Sequence, residues 1–268
     1  TLSLSNPDKL NAVDAGMWRG LQARMTVINA DPDVRCVILT GAGVSAESGI
    51  DTFRSAGGLW EQHRVEDVAT PEAFARSPAL VQRFYNLRRA QLRDPAVAPN
   101  AAHLALARLE QEWPGQVLVV TQNVDDLHER AGSRRLIHMH GELMRARCLA
   151  CGASSPWRED LGSASSCPSC VRAGRLRPDI VWFGEMPYHM DEIYAALEQC
   201  ALFVAIGTSG QVYPAAGFVA AVRAAGSART IEINLEDSAM SSTFAERRVG
   251  AAGVLVPALV EELLAAAA

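Results

Sequence analysis

Short apolar runs recur along the chain, each closed by turn residues: Cys36–Thr40, Val117–Thr121, Leu136–Met139, Leu202–Gly207, Thr230–Asn234 and Gly253–Pro257. Val, Ile and Leu occupy both alternating faces of these runs, the pattern of parallel strands buried on both sides. Segments of helical periodicity lie between them, among them Ala102–Glu112, Met190–Gln199, Val212–Ala225 and Pro257–Ala267. This alternation predicts an open α/β sheet with helices on both faces. Two stretches break the rhythm. Ser55–Pro99 is helical in pattern and punctuated by Pro71, Pro78, Pro95 and Pro99, while Leu143–Pro178 carries four cysteines and a Gly/Ser-rich tip at Gly162–Ser166. Both read as insertions that combine into a second, smaller domain.

The expected division is therefore a large domain from residues 34–57, 100–142 and 179–268, and a small helical and metal-binding domain from 58–99 and 143–178. Residues 1–33 read as an appended strand and amphipathic helix, with Asp14 as N-cap and Trp18, Leu21, Met25 and Ile28 as its apolar face.

A chain of 268 residues accommodates one domain with a smaller module inserted. No apolar run approaches the ~20 residues of a membrane helix, and no signal-peptide pattern is present, although the first residue is Thr1. A membrane is therefore not an expected partner. The net charge of -5 argues against nucleic acid as a partner as well. Six cysteines, four of them in two tight pairs, point to metal rather than disulfides and so to a reducing cytoplasm. Cys36 and Cys200 sit in apolar surroundings and read as core residues.

The two pairs are Cys148/Cys151 and Cys167/Cys170, with fifteen residues between them. That spacing suits a tetrahedral zinc shell of four thiolates with no position left for water, hence a structural ion. Eight positions before Cys148 stands His140, a candidate general base whose ordinary pKa of ~6.5 lies near working pH. His138 is expected to point away from it and to be structural. The first strand runs into Gly41-Ala42-Gly43-Val44-Ser45-Ala46, a G-x-G-x-x-G/A pattern in which glycine backbone approaches a pyrophosphate. A tight strand-to-helix turn would read the same way. A dehydrogenase would continue with a regular amphipathic helix; here Gly49 breaks it, and the polar, aromatic and basic loop Asp51-Thr52-Phe53-Arg54 follows.

From about Val37 to Leu264 the chain resembles the sirtuin family of NAD-dependent protein-lysine deacylases. The matching pieces are Gly41 to Ile50, Thr121-Gln122-Asn123-Val124-Asp125, His138-Met139-His140-Gly141, the four cysteines, Phe183-Gly184-Glu185, Gly207-Thr208-Ser209 and Asn234-Leu235-Glu236. They stand in family order over most of the chain. Tyr85 and Arg88, three apart on one helical face, resemble the Tyr-x-x-Arg motif of class III sirtuins, which take succinyl and malonyl groups. Gly58-Leu59-Trp60 and His63 to Thr70 are similar to that class too. A guanidinium and a phenol suit a carboxylate.

The resemblance implies a Rossmann-like NAD-binding domain beside a small zinc domain, with NAD as co-substrate, one structural zinc ion and acyl-lysine proteins or peptides as partners. It implies that Gly41, Ala42 and Gly43 cradle the pyrophosphate, with Ser45 and Glu47 setting the loop. Phe53 and Arg54 would lie toward nicotinamide, and Trp60 would also bind the cofactor. Gln122, Asn123, Val124 and Asp125 would form the carboxamide pocket, with Asn123 and Asp125 also catalytic. Gly207, Thr208, Ser209, Asn234, Leu235, Glu236 and Ala252 would hold the adenosine half. Phe183, Gly184 and Glu185 would offer a strand-like edge to the substrate peptide. His140 would deprotonate a ribose hydroxyl after nicotinamide leaves, the products being lysine, nicotinamide and O-acyl-ADP-ribose. The alternatives are an ADP-ribosyltransferase or NAD glycohydrolase on the same scaffold, or a non-catalytic reader of NAD or acyl-peptides.

Two features depart from the family. Leu4 to Asp14, with Met17-Trp18 and Asp31 to Gly43, resembles the N-terminus of an enoyl-CoA hydratase, the likeness ending at Gly43. Asp51 stands where many sirtuins have proline.

Overall fold

The computed structural model describes residues 35–50, 59–60 (backbone alone), 63–226 and 228–267. The expected N-terminal strand and helix, with Asp14, Trp18, Leu21, Met25 and Ile28, lie outside the described residues, as do Phe53 and Arg54.

Strand β1 (Arg35–Thr40) is apolar on both faces because both are covered: Cys36 and Ile38 point into one core, Val37 and Leu39 into the other, and all four are buried. It runs into the short helix α1 (Ala42–Ala46). A two-residue hairpin, β2 (Leu59–Trp60) and β3 (His63–Arg64), leads to α2 (Val65–Val68), α3 (Pro71–Arg76) and α4 (Pro78–Leu92). Proline at the first position of α3 and α4 costs no hydrogen bond there, and the Thr70 hydroxyl caps α3 by accepting from Ala73 N at 3.1 Å. Then follow α5 (Ala101–Glu112), β4 (Gln116–Thr121), α6 (Leu127–Ala131) and β5 (Leu136–His138). An antiparallel excursion, β6 (Gly141–Cys148), β7 (Ser154–Pro156) and β8 (Leu176–Ile180), precedes α7 (Met190–Gln199), β9 (Leu202–Ile206), α8 (Phe218–Ala225), β10 (Arg229–Asn234), β11 (Glu246–Val249) and α9 (Ala252–Ala267).

The main sheet has the order β11-β10-β9-β1-β4-β5, with every pairing parallel. The chain builds outward from β1 through β4 and β5, then crosses to β9 and builds the other way. This is the doubly wound Rossmann-like order, and its crevice lies at the carboxyl ends of β1 and β9, where the order reverses. Leu106 and Leu109 of α5 and Val256, Leu259 and Leu263 of α9 cover one face. Ile193 and Leu197 of α7 and Phe218, Val219 and Val222 of α8 cover the other. Each such side chain contributes about 1.5–3 kcal/mol by leaving water.

The excursion forms its own sheet, β7-β6-β8. β6 joins two small cores. Its Leu143 and Met144 pack with Phe84 and Tyr85 of α4 and with Ile180 and Trp182, whereas Ala146 and Cys148 pack with Leu161, Cys167 and Leu176. Arg89 of α4, fully buried, donates from Nε to the Leu143 carbonyl at 3.1 Å and from Nη1 to Asn86 Oδ1 at 2.9 Å.

Two sequence expectations are corrected. The run Gly253–Pro257 is not a strand but the first turns of α9, and the outer strand is β11. A five-residue apolar run carries no period of its own; the burial of Val256, Leu259, Val260 and Leu263 at helical spacing shows which period governs it. The helix expected over Val212–Ala225 starts only at Phe218, after a single 3-10 turn at Ala215–Gly217, because Pro214 keeps Tyr213 out of helical backbone.

One glycine fixes the crossover. Gly207 has φ +64, and a Cβ there would stand 2.7 Å from Val44 N and 2.8 Å from Gly43 Cα. Gly207→Ala is expected to destabilise the protein by about 1–3 kcal/mol or more, through strain and clash together. A thermal unfolding midpoint equal to that of the parent would contradict this packing.

Candidate active site and metal centre

The glycine loop closes directly on the strand beside it. Gly41 N donates to Ile206 O and Gly43 N to Gly207 O, both at 3.0 Å. A side chain at either position is barred, since a Cβ on Gly41 would lie 2.8 Å from Gly207 O and one on Gly43 2.7 Å from Gly207 Cα. The chain turns at once into α1, which ends before Gly49 at φ +83; the break read from the sequence is there.

Behind this loop sits a buried polar cluster from the end of β4. Ser45 Oγ donates to Asp125 Oδ2 at 2.9 Å, and Asn123 Nδ2 donates to Ser45 Oγ at 3.0 Å and to Gly41 O at 3.1 Å. Leu127 N donates to Asp125 Oδ1 at 3.1 Å. Burial raises the Asp125 pKa, and the bonds from Ser45 and Leu127 oppose that rise. The expected pocket residues Asn123 and Asp125 are thus tied to the glycine loop through Ser45. Gln122 N donates to Thr40 O at 2.9 Å, placing the start of the same segment across from the end of β1, and Leu143 N donates to Val124 O at 2.8 Å.

His140 follows β5. Its Nδ1 lies 3.1 Å from Gln122 O. A carbonyl only accepts, so Nδ1 carries the hydrogen and Nε2 keeps its lone pair. Burial lowers the His140 pKa, partly offset by that bond, so the ring stays neutral at working pH. The expectation for His138 is corrected. Residues two apart in extended chain share a side, and the His138 Nδ1 meets Asn123 O at 3.3 Å, the carbonyl next to the one His140 meets. The difference lies at the other nitrogen. His138 Nε2 is 2.7 Å from Glu129 Oε1, and although burial pulls its pKa down, Glu129 raises it overall. His138 is a paired cation; His140 is a neutral imidazole.

The residues expected on the adenosine side line the opposite rim. Thr208 and Ser209 follow β9, and Asn234 ends β10, its Nδ2 donating to Thr208 O at 2.7 Å. Leu235 and Glu236 are exposed beyond it. Glu47 Oε1 accepts from Gly253 N at 3.0 Å, drawing the start of α9, and with it Ala252, toward the glycine loop. Trp60 stands in β2 opposite His63.

On the small-domain side, Tyr85 and Arg88 of α4 are both buried. Phe183, Gly184 and Glu185 do not form a strand-like edge. They form a tight turn closed by Glu185 N donating to Trp182 O at 3.0 Å, with Gly184 at φ +88 in the position a type II turn reserves for glycine. Phe183 is exposed at its tip, whereas the Glu185 carboxylate turns inward to Arg177.

The four cysteines come together, every pair of Sγ atoms lying within 4.8 Å. Cys148–Cys170 and Cys151–Cys167 are each 3.8 Å apart. Sulfurs about 2.3 Å from a tetrahedral zinc stand about 3.8 Å from one another, so the set fits one ion. The distance is far beyond a disulfide bond. Cys36 and Cys200 are buried away from this group, and burial pushes the Cys200 thiol up to about 11.

Several supports of the site were not singled out from the sequence. Asn100 caps α5 and with its Nδ2 holds Val44 O at 2.7 Å and Ser48 Oγ at 2.9 Å. His128 Nε2 lies 3.0 Å from Thr40 Oγ1, next to Gly41. The Pro-Asn pair preceding a helical run marks Asn100 as a cap; no local pattern marks His128, whose partner is 88 residues distant.

A doubly wound sheet with a glycine turn at its crossover, a neutral histidine beside it and a closed thiolate cluster on an inserted module defines a dinucleotide-binding protein with a structural metal. The chain belongs to the Sir2 family, whose profile matches residues 41–214. An NAD-dependent protein deacylase of Bdellovibrio bacteriovorus is 63% identical over 228 residues, 85% of this chain and 96% of the relative. One of Vibrio cholerae is 60% identical over 232 residues, 87% and 94% of the two chains. Among solved structures, a Sir2 homolog–NAD complex superposes with a TM-score of 0.80 at 37% identity, over 93% of this chain and 95% of that one. A Sir2–p53 peptide–NAD+ structure does so with a TM-score of 0.72 at 27% identity, over 90% and 98%. The part of the enoyl-CoA hydratase likeness from Arg35 to Gly43 is β1 of this sheet and the glycine loop after it; the rest precedes the described residues. Among the described residues no helix is long and apolar enough to cross a membrane.

The protein is expected to hold one zinc ion per chain. Cys167→Ser, or a strong chelator, should release it and lower the unfolding midpoint; fresh protein free of zinc by elemental analysis would refute the site.

Proposed function

We propose that this protein is an NAD-dependent protein-lysine deacylase that prefers acidic acyl groups, succinyl or malonyl, to acetyl. The names of its relatives support the coarser activity. The preference rests on one observation: Tyr85 and Arg88 lie three residues apart on α4 and are both buried, 1% and 6% exposed. A guanidinium held that deep is a poor companion for an acetyl methyl and a good one for a carboxylate, which accepts charge-assisted bonds.

The donor set fits NAD. Glycine backbone at the crossover suits the pyrophosphate. Gln122, Asn123, Val124 and Asp125 suit the carboxamide. Ser209, Asn234, Leu235, Glu236 and Ala252, with Gly207 and Thr208, suit the adenosine half. NAD supplies an electrophilic ribose carbon from which nicotinamide departs. The chain's own contribution is to orient and to move a proton. The Ser45–Asn123–Asp125 cluster fixes the pocket, and His140 offers Nε2 as the base for a ribose hydroxyl. The turn Phe183–Gly184 faces outward to receive the peptide, with Glu185 anchoring it from within.

Incubation with NAD and matched acetyl-, succinyl- and malonyl-lysine peptides should yield nicotinamide, lysine and O-acyl-ADP-ribose. Nicotinamide release without deacylation would favour a glycohydrolase or ADP-ribosyltransferase instead. Arg88→Met should depress desuccinylation at least about tenfold more than deacetylation, the range of a charged hydrogen bond; equal losses would remove the preference. The pH profile follows from His140. A base must be neutral, so activity falls as pH drops through its pKa, and because burial lowers that pKa the acid limb of kcat/KM should lie below ~6.5. An acid limb above that value would contradict the assignment.

A further inference from the structure

We propose that Trp182 is a positioning residue for acyl recognition: its indole N–H takes one lone pair of the Tyr85 hydroxyl and leaves that hydroxyl's single hydrogen to bond the carboxylate of an acidic acyl group. The inference rests on the reading of Tyr85 and Arg88 given above.

An indole N–H donates and never accepts. The 2.9 Å contact between Trp182 Nε1 and Tyr85 Oη therefore uses the phenol as acceptor. The phenol's own hydrogen cannot take part in it and is available to another partner. Burial raises the Tyr85 pKa, more than the Trp182 bond lowers it, so the hydrogen stays on. A donor placed on the oxygen also polarises the O–H and makes it a better donor in turn.

The indole has no freedom to turn away. The Arg177 guanidinium lies 3.4 Å from its ring centroid, and the Phe74 ring packs against it at 5.3 Å. Arg177 is itself 3% exposed and held through both terminal nitrogens: Nη1 and Nη2 donate to the two oxygens of Glu185 at 2.6 and 2.9 Å, and Nη2 donates to Ile180 O at 2.6 Å. Glu185 Oε2 accepts from Trp182 N at 2.8 Å, which closes the ring of contacts. Next to Trp182, Val181 N donates to His140 O at 2.9 Å. One stretch, 177–185, thus holds the phenol, the outward turn Phe183–Gly184 and the backbone of His140.

Trp182→Phe keeps an aromatic ring and removes the N–H. In steady-state assays with NAD and matched peptides, the loss in kcat/KM on the succinyl peptide should exceed that on the acetyl peptide about fivefold, one neutral hydrogen bond's worth, and appear mainly in KM. In a Tyr85→Phe background the same change should cause no further loss of that ratio. Replacement of Trp182 by benzothienylalanine, which exchanges N–H for sulfur at nearly constant shape, should reproduce the effect and covers the case in which Trp182→Phe folds poorly. Equal losses on both peptides, or additive losses in the double variant, would overturn the inference. If Tyr85→Phe and Arg88→Met leave the succinyl-to-acetyl ratio untouched, the acyl reading itself fails. If they lower it while both Trp182 replacements do not, only the role of Trp182 fails.

Discussion

The backbone contact between the loop after β1 and the loop after β9 is the constraint on which the site depends. Gly41 and Gly43 donate to carbonyls of residues 206 and 207, and no side chain fits on either surface. The two strands belong to opposite halves of a doubly wound sheet, so this contact is where the halves are sewn together. Several polar groups of the candidate site are referred to it. Asn123 holds Gly41 O, Ser45 holds Asp125, Glu47 holds the start of α9, and Asn100 holds Val44 O from the opposite face. The loop is held by the hydrogen bonds of its neighbours, and neither glycine puts a side chain between backbone and crevice.

A second device is the division of labour between two histidines on one short segment. Both turn Nδ1 to consecutive carbonyls of the same loop, which fixes both rings. Only the second contact differs. Glu129 converts His138 into half of an ion pair, whereas His140 has burial alone and remains a neutral acceptor. A single carboxylate separates a structural imidazole from one able to take a proton.

Much of this was legible in the chain. Five of the six sheet strands follow from runs of Val, Ile and Leu, because a parallel sheet covered on both faces leaves no polar position to confuse the pattern. The outer strand β11, Glu-Arg-Arg-Val, does not: it is half-exposed, and its polar residues carry no apolar signature. The zinc pairs and the glycine turn are local in sequence and were readable for that reason. Contacts that join distant segments were not, among them His128 to Thr40, Trp182 to Tyr85 and Arg177 to Glu185 wrapped beneath an indole. The turn at Phe183–Glu185 looked like a strand because a glycine between an aromatic and an acid does not announce its φ.

β6 begins one residue after His140 and ends at Cys148, paired with β8 over much of its length. The strand is a ruler about 25 Å long laid between the histidine pair and the cysteine cluster. What lies past the far end is fastened a second time: Asn86, between Tyr85 and Arg88 on α4, holds both the N–H and the carbonyl of Leu161 at 2.9 Å. A tip of another design would have to return the chain to Leu176 in the same register and also give Asn86 its two partners. The inserted segment is in this sense a clasp with two fastenings, the β6–β8 ladder and the Asn86–Leu161 pair.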